Sequence, residues 1–353
     1  MNPLTFLRLA ERSGYIAMFA LLLPISASAV PLLHPANCAR AAQYSESKQG
    51  ASTLVMQDGR IIFERYANGG KVDGAWPIFS GTKSFWGIAA LVAAGEGLFR
   101  LDDRVADTIT EWQNDPHKSQ ITIRQLLNFT DGIEGAPHLH RESIRDRNAI
   151  ALQLPVVAEP GLAFIYGPSH LQVFSELLRR KLNGRGTISY LEERVLHPLG
   201  IGSLDYKKDA RGNPLLATGF QLSARQWASL GELILGHGNY RGRQIVSAEL
   251  LREAFAGSSP NPSYGLTFWL NRSSGFFARE ADIEKIIDLP WQRASWRGVC
   301  FSKAAPADMV VGLGSGYHRL FVIPSMNAII VRQASTGTGK FSDAHFLRLV
   351  LGR

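Results

Sequence analysis

Near each end of the chain, two short apolar runs are folded back on each other by a turn signal. Thr53-Leu54-Val55-Met56 and Ile61-Ile62-Phe63 flank Asp58-Gly59. A glycine that tolerates positive φ predicts a tight hairpin there. Arg319-Leu320-Phe321-Val322 and Ile329-Ile330-Val331 flank Ile323-Pro324-Ser325-Met326-Asn327, which predicts a second hairpin. Between the hairpins the apolar period becomes helical. Ser84 to Ala94 is apolar and rich in Ala and Leu, and Leu171, Phe174, Leu178 and Leu182 recur at helical spacing behind Pro168. Ser223 reads as the N-cap of a helix that carries Trp227, Leu230 and Ile234 and ends near Gly236-His237-Gly238. An amphipathic helix from Ser342 to Leu351 closes the chain. The pattern predicts an α/β (α+β) fold, an antiparallel sheet built from both termini with a helical region inserted between. Residues 34–50 read as a polar, irregular arm.

Composition narrows the function classes. The chain has 353 residues, 45% hydrophobic and 19% charged, an ordinary globular balance with enough length for one large domain over 51–353. The net charge of +8 is scattered and no run of five or six like charges occurs, so no nucleic-acid partner is predicted. Arg8 and Arg12 precede the apolar stretch Tyr15–Leu23 and the small residues Ser26-Ala27-Ser28-Ala29. That order reads as a secretory signal over 1–29, cut after Ala29, with 30–50 as the arm, and it predicts an exported, periplasmic or secreted protein. The alternative is an uncleaved membrane anchor from Tyr15 to Leu33, which Pro24 and Pro31 make a poor span. The two cysteines, Cys38 and Cys300, read either as one disulfide or as two unrelated thiols. There is no CxxC and no Cys/His cluster, and His138 and His140 alternate without a further ligand at recognisable spacing, so no metal is predicted.

The chemistry concentrates at Phe79-Ser80-Gly81-Thr82-Lys83. A serine hydroxyl is a weak nucleophile until a base removes its proton. Three residues on along a helix, Lys83 can place its amine beside the Ser80 oxygen. It serves as a base only when neutral, which burial against the apolar segment after it would favour. Ser-x-x-Lys occurs a second time, at Ser45-Glu46-Ser47-Lys48, where the polar surroundings read as a solvated linker. Taken alone, Ser80 is as readily a helix cap as a nucleophile.

The surroundings of Ser80 resemble the serine β-lactamase and penicillin-binding-protein superfamily, in particular its class C β-lactamase and esterase branch. Leu101–Val105, Ile121–Leu127, Asp131-Gly132-Ile133, Pro198–Ile201, Gly219-Phe220 with Ser223-Ala224-Arg225, and Tyr264-Gly265-Leu266 with Trp269 are similar to landmarks of that branch, in its order, over roughly residues 50–350. The resemblance implies a β-lactamase/transpeptidase-like fold and an acyl-enzyme on Ser80. Tyr166, in Phe164-Ile165-Tyr166-Gly167-Pro168-Ser169, takes the place of the family's proton-shuttling tyrosine. Two departures stand out. The asparagine that follows the tyrosine is Pro168 here, with Ser169 as a candidate replacement. The cation-led triplet on the strand lining the site is matched by Gly314-Ser315-Gly316, which would form the oxyanion and substrate-binding edge through the N–H of Ser315 or Tyr317. His318 or Arg319 would have to replace the missing positive charge. The family uses that cation to grip a substrate carboxylate, so these departures favour an ester or amide substrate over a β-lactam. The expected partner is a small-molecule or peptide-like acyl substrate, with no cofactor. The alternative reading is a catalytically silent relative that binds cell-wall peptides, or a D-Ala-D-Ala carboxypeptidase or β-lactamase. The segment Ser273–Cys300, with Phe276, Phe277, Trp291 and Trp296, reads as either a flap over the pocket or a surface insertion.

Overall fold

The two predicted hairpins become neighbours in one sheet. In the computed structural model, which describes residues 32–272, 277–287, 296–335 and 340–353, β1 (Gly50–Gln57) and β2 (Arg60–Tyr66) come from the N-terminal side. They join β3 (Trp269–Leu270), β4 (Val310–Gly314), β5 (His318–Ile323) and β6 (Ala328–Ala334). All pairs are antiparallel and the order is β2-β1-β6-β5-β4-β3. The first turn has positive φ at both Asp58 and Gly59, the geometry that matches strand twist. Asn327, also at positive φ, donates from Nδ2 to Asp58 Oδ1 at 2.9 Å and so ties the two hairpin turns together. The signal read over 1–29 lies outside the described residues. Among the described residues no helix is long and apolar enough to cross a membrane.

Every residue of β1 and β6 is buried, because helices cover both faces of the sheet. On one face lie α1 (Pro35–Ser47) and, further down the chain, the C-terminal helix; on the other lies the helix opened by Ser223. The residues read as an irregular arm are therefore mostly helix. Pro35 starts α1 and Cys38, Ala41, Ala42 and Ser45 form its buried stripe. These side chains are small, so the helical period is present while the hydrophobic signal is faint. The second Ser-x-x-Lys is corrected at the same time. Ser45 is not solvated; it is buried, and its Oγ accepts a bond from Arg332 Nε at 3.0 Å. Cys38 and Cys300 are both buried, free thiols, and burial pushes the Cys38 thiol up to about 11.

The inserted region is helical as predicted. α2 (Thr82–Gly95) is buried from Thr82 through Ala93, the signature of a helix that runs through the middle of a domain. α3 (Ser169–Lys181) follows the Tyr166 loop. α4 (Ala224–Leu235) begins with a capping box in which Ser223 and Gln226 satisfy each other's backbone N–H groups. The short α5 (Ile283–Ile286) lies in the segment read as flap or insertion. α6 (Asp343–Leu351) is capped by Ser342, which accepts from the His345 N–H at 3.2 Å.

Candidate active site

Ser80 sits on a strained turn. It belongs to a single 3-10 turn, Phe79–Gly81, that leads directly into α2. The residue before it, Phe79, has φ +46, a left-handed conformation that is costly for an aromatic side chain and is typically held in place at functional sites. The turn is fixed from both sides. Ile78 N–H donates to Phe220 O at 2.9 Å, and Phe220 N–H donates to Thr82 Oγ1 at 3.2 Å. Gly81 has no room for a side chain, since a Cβ there would meet the Trp227 ring of α4 at 2.6 Å. The Gly219-Phe220 and Ser223 landmarks thus hold the nucleophile turn.

Lys83 is one helical turn on. Its Nζ donates to Ser80 Oγ at 2.7 Å and to Ala217 O at 2.9 Å. The side chain is 2% exposed, and removal from water pushes its pKa down to about 7. Near neutral pH a sizeable fraction of the amine is therefore unprotonated and able to accept the serine proton.

Tyr166 faces the same space, its ring centroid 4.9 Å from Lys83 Nζ. It rests in an aromatic cluster with Phe129 and Trp269, at centroid distances of 5.5 and 6.0 Å. The Asp131-Gly132-Ile133 landmark positions this loop. Asp131 accepts from Ile133 N–H at 2.8 Å and pairs with His170 at 2.7 Å. Gly167 lies so close to Gly135 that a Cβ would come within 2.0 Å of its carbonyl. Ser169 does not replace the missing asparagine. It is buried, and its hydroxyl donates to Glu134 O at 2.6 Å.

Ser80, Lys83, Tyr166 and Ser315 line one cavity of about 240 Å³, together with Pro168, His140 and Glu284. Gly314 ends β4, and Ser315 and Gly316 form the turn into β5. A Cβ at Gly314 would lie 2.1 Å from Ile78 O, so glycine is what lets this strand approach the nucleophile turn. Gly314→Ala is expected to cost about 1–3 kcal/mol of stability and to lower kcat/KM as the two elements are forced apart. Urea denaturation and ester turnover measure both; a variant within about 0.5 kcal/mol of wild type would contradict the close approach.

The charges on this edge differ from expectation. Neither His318 nor Arg319 supplies a cation to the cavity. His318 is buried, and burial depresses its pKa to about 3, so it is neutral; its ring packs on Phe79 at 5.2 Å. Arg319 is fully buried and ion-paired to Asp343 at 3.0 Å and Glu284 at 2.8 Å. Tyr317 is not an available oxyanion donor, because its N–H is given to Glu284 Oε1 at 2.7 Å, and the Gly316 N–H is given to Glu284 Oε2 at 3.0 Å. That leaves Ser315 of the two candidates. Glu284 was not singled out by the sequence, and His140 only as one of two alternating histidines without a metal-ligand pattern. His140 lines the cavity and is pushed down to about 4 by burial and then by Lys83. Glu284 and Ile287 come from the segment read as flap or insertion, which therefore forms a cavity wall; Trp296 of the same segment packs on Phe164 at 5.2 Å. Phe276 and Trp291 lie outside the described residues.

Comparison with known proteins shows the family. The sequence model of the Beta-lactamase family matches residues 36–345, nearly the whole chain. The chain belongs to the beta-lactamase family. Protein flp of Staphylococcus aureus (strain MW2) is 25% identical over 189 residues, 49% of this chain and 38% of that protein, so the match spans well under half of the curated relative's length. Among solved structures, a penicillin-binding protein homolog from Caulobacter crescentus is similar with a TM-score of 0.66 and 16% identity, covering 90% of this chain and 97% of that one. EstCE1, a hydrolase with promiscuous acyltransferase activity, gives a TM-score of 0.65 at 16% identity over 90% of this chain and 98% of that one. These structures share the β-lactamase/transpeptidase fold, and the family supports a serine hydrolase-type function.

Proposed function

We propose that this protein is an exported serine hydrolase that forms an acyl-enzyme on Ser80 and hydrolyses an ester or amide. The observation that carries the reading is the buried Lys83 amine, 2.7 Å from Ser80 Oγ and with its pKa lowered to about 7. Lys83 takes the hydroxyl proton as Oγ attacks the carbonyl carbon. The backbone N–H groups of Ser80 and Ser315 hold the oxyanion. Collapse expels the alcohol or amine, which takes the proton back through Lys83 and Tyr166, and water then releases the acid by the same route in reverse. Small acyl groups fit the cavity of about 240 Å³, and Ser315 also borders an apolar neighbour of about 350 Å³ walled by Trp76 and Phe79, which suits an amphiphilic substrate. EstCE1, a fold relative described as a hydrolase with promiscuous acyltransferase activity, is in line with this choice.

The test combines a fluorophosphonate probe with p-nitrophenyl esters. Wild type is expected to be labelled and to turn over, and Ser80→Ala to do neither. An unlabelled wild type whose ester turnover matches Ser80→Ala would overturn the reading. Rapid turnover of a fluorescent penicillin would instead make the protein a β-lactamase. Export rests on the order of residues 8–30, and amino-terminal sequencing of the exported protein should begin at Val30; a cytosolic protein that retains Met1 would contradict it.

A further inference from the structure

The third-motif edge does not merely lack a cation; it presents a carboxylate. Glu284 lines the same cavity as Ser80, Lys83 and Ser315. Its Oε1 accepts from Tyr317 N–H at 2.7 Å and from Arg319 Nη2 at 2.8 Å, and its Oε2 accepts from Gly316 N–H at 3.0 Å. Swinging away would leave two backbone N–H groups without their acceptor and take one of two carboxylates from a buried guanidinium, so the carboxylate is fixed. Three bonds use most but not all of its acceptor capacity, and the remainder on Oε2 is available to a ligand.

The cations nearby do not cancel this charge on the cavity side. Arg319 is fully buried and does not line the cavity, whereas Glu284 keeps 19% of its side chain exposed, and Arg319 is shared with Asp343 through two bonds of 3.0 Å. Lys285 points its amine at Asp282, at 3.0 Å. Lys83 is engaged with Ser80 and Ala217, and His140 is held neutral by burial. Among the described lining residues Glu284 is thus the fixed charge that a substrate meets.

We infer that Glu284 sets the charge preference of the site, admitting acyl substrates that are neutral or carry an ammonium group at this end and rejecting those that carry a carboxylate there. The inference rests on the hydrolase reading above. A substrate carboxylate would lose its water beside a like charge in a partly enclosed cleft, whereas an ammonium gains a charge-assisted hydrogen bond.

The experiment uses matched short esters that end in methyl, ammonium or carboxylate, in one series on the acyl chain and in another on the alcohol. Wild type is expected to show kcat/KM for the carboxylate member at least about tenfold below that of the ammonium member in one series, chiefly through KM. Glu284→Gln is expected to shrink that ratio to within about threefold, a ratio that a general loss of activity leaves untouched. If the variant fails to fold, the wild-type ratio decides alone. Turnover of the methyl ester with equal treatment of the two charged members in both series overturns the inference while the hydrolase reading stands. So does a ratio that survives Glu284→Gln. Absence of turnover for every member, identical in Ser80→Ala, overturns the hydrolase reading and this inference with it.

Discussion

Lys83→Met is expected to lower kcat/KM on a neutral ester by about 10²–10⁴-fold, the range for losing a positioned general base. The variant should melt at or above the wild-type temperature. Both outcomes come from the same burial. Water removal holds the amine near 7 instead of its ordinary 10.5, so the folded state binds fewer protons than the unfolded chain between those values. Stability therefore rises with pH across that window, and below about 7 the protein carries the cost of burying an ammonium. Methionine fills similar space without a charge. The same titration governs activity: wild-type kcat/KM should climb as pH rises through about 7 and then level off. A flat profile from pH 5 to 8, or a Lys83→Met variant with near wild-type turnover, would remove Lys83 from the base role.

Asp343→Asn is expected to destabilise the fold by about 1–3 kcal/mol, because it takes one of two carboxylates from a buried guanidinium and leaves Glu284 as the remaining partner. Arg319 and Arg332 stand directly opposite each other across β5 and β6, and both side chains are buried. Asp343 reaches Arg319 with both oxygens at 3.0 Å. Among the described residues Arg332 has no carboxylate at hydrogen-bond distance, and it donates to Ser45 Oγ, Tyr317 O and Lys48 O; burial and its neighbour Arg319 push it down to about 10. Asparagine would keep the shape at the start of α6 and remove one of the two carboxylates that offset this pair, the other being Glu284. Urea denaturation measures the effect, with an unchanged slope and a lower midpoint expected. A loss below about 0.5 kcal/mol would mean that Glu284 alone offsets the two guanidiniums.

Where the physics is local, the sequence was legible. The Asp58-Gly59 turn, the Ser223 cap, the apolar α2 and the Ser80–Lys83 spacing each follow from a few adjacent residues, and all four appear in the structure. α1 was missed because Cys38, Ala41, Ala42 and Ser45 are small; their burial is decided by a close approach to the sheet and to α6, not by side-chain size. Glu284 was missed for a different reason. Its partners, Gly316, Tyr317 and Arg319, lie more than thirty residues further along the chain, and no periodicity links a carboxylate to distant backbone N–H groups. The misassigned roles of His318 and Arg319 share that cause, since strand alternation tells which side a residue takes but not whether a buried acid is waiting there.

The pairing of the first long strand with the last sets a timetable for folding. β1 is flanked by β2 and β6, and Ser52 Oγ donates to Gln333 Oε1 across a sequence separation of 281. A ribosome that has delivered the nucleophile, its lysine and most of the helices has still not supplied the strand that closes the sheet. The hairpin β1–β2 must wait with one edge open until β6 has been made, a high-contact-order route that is intrinsically slow.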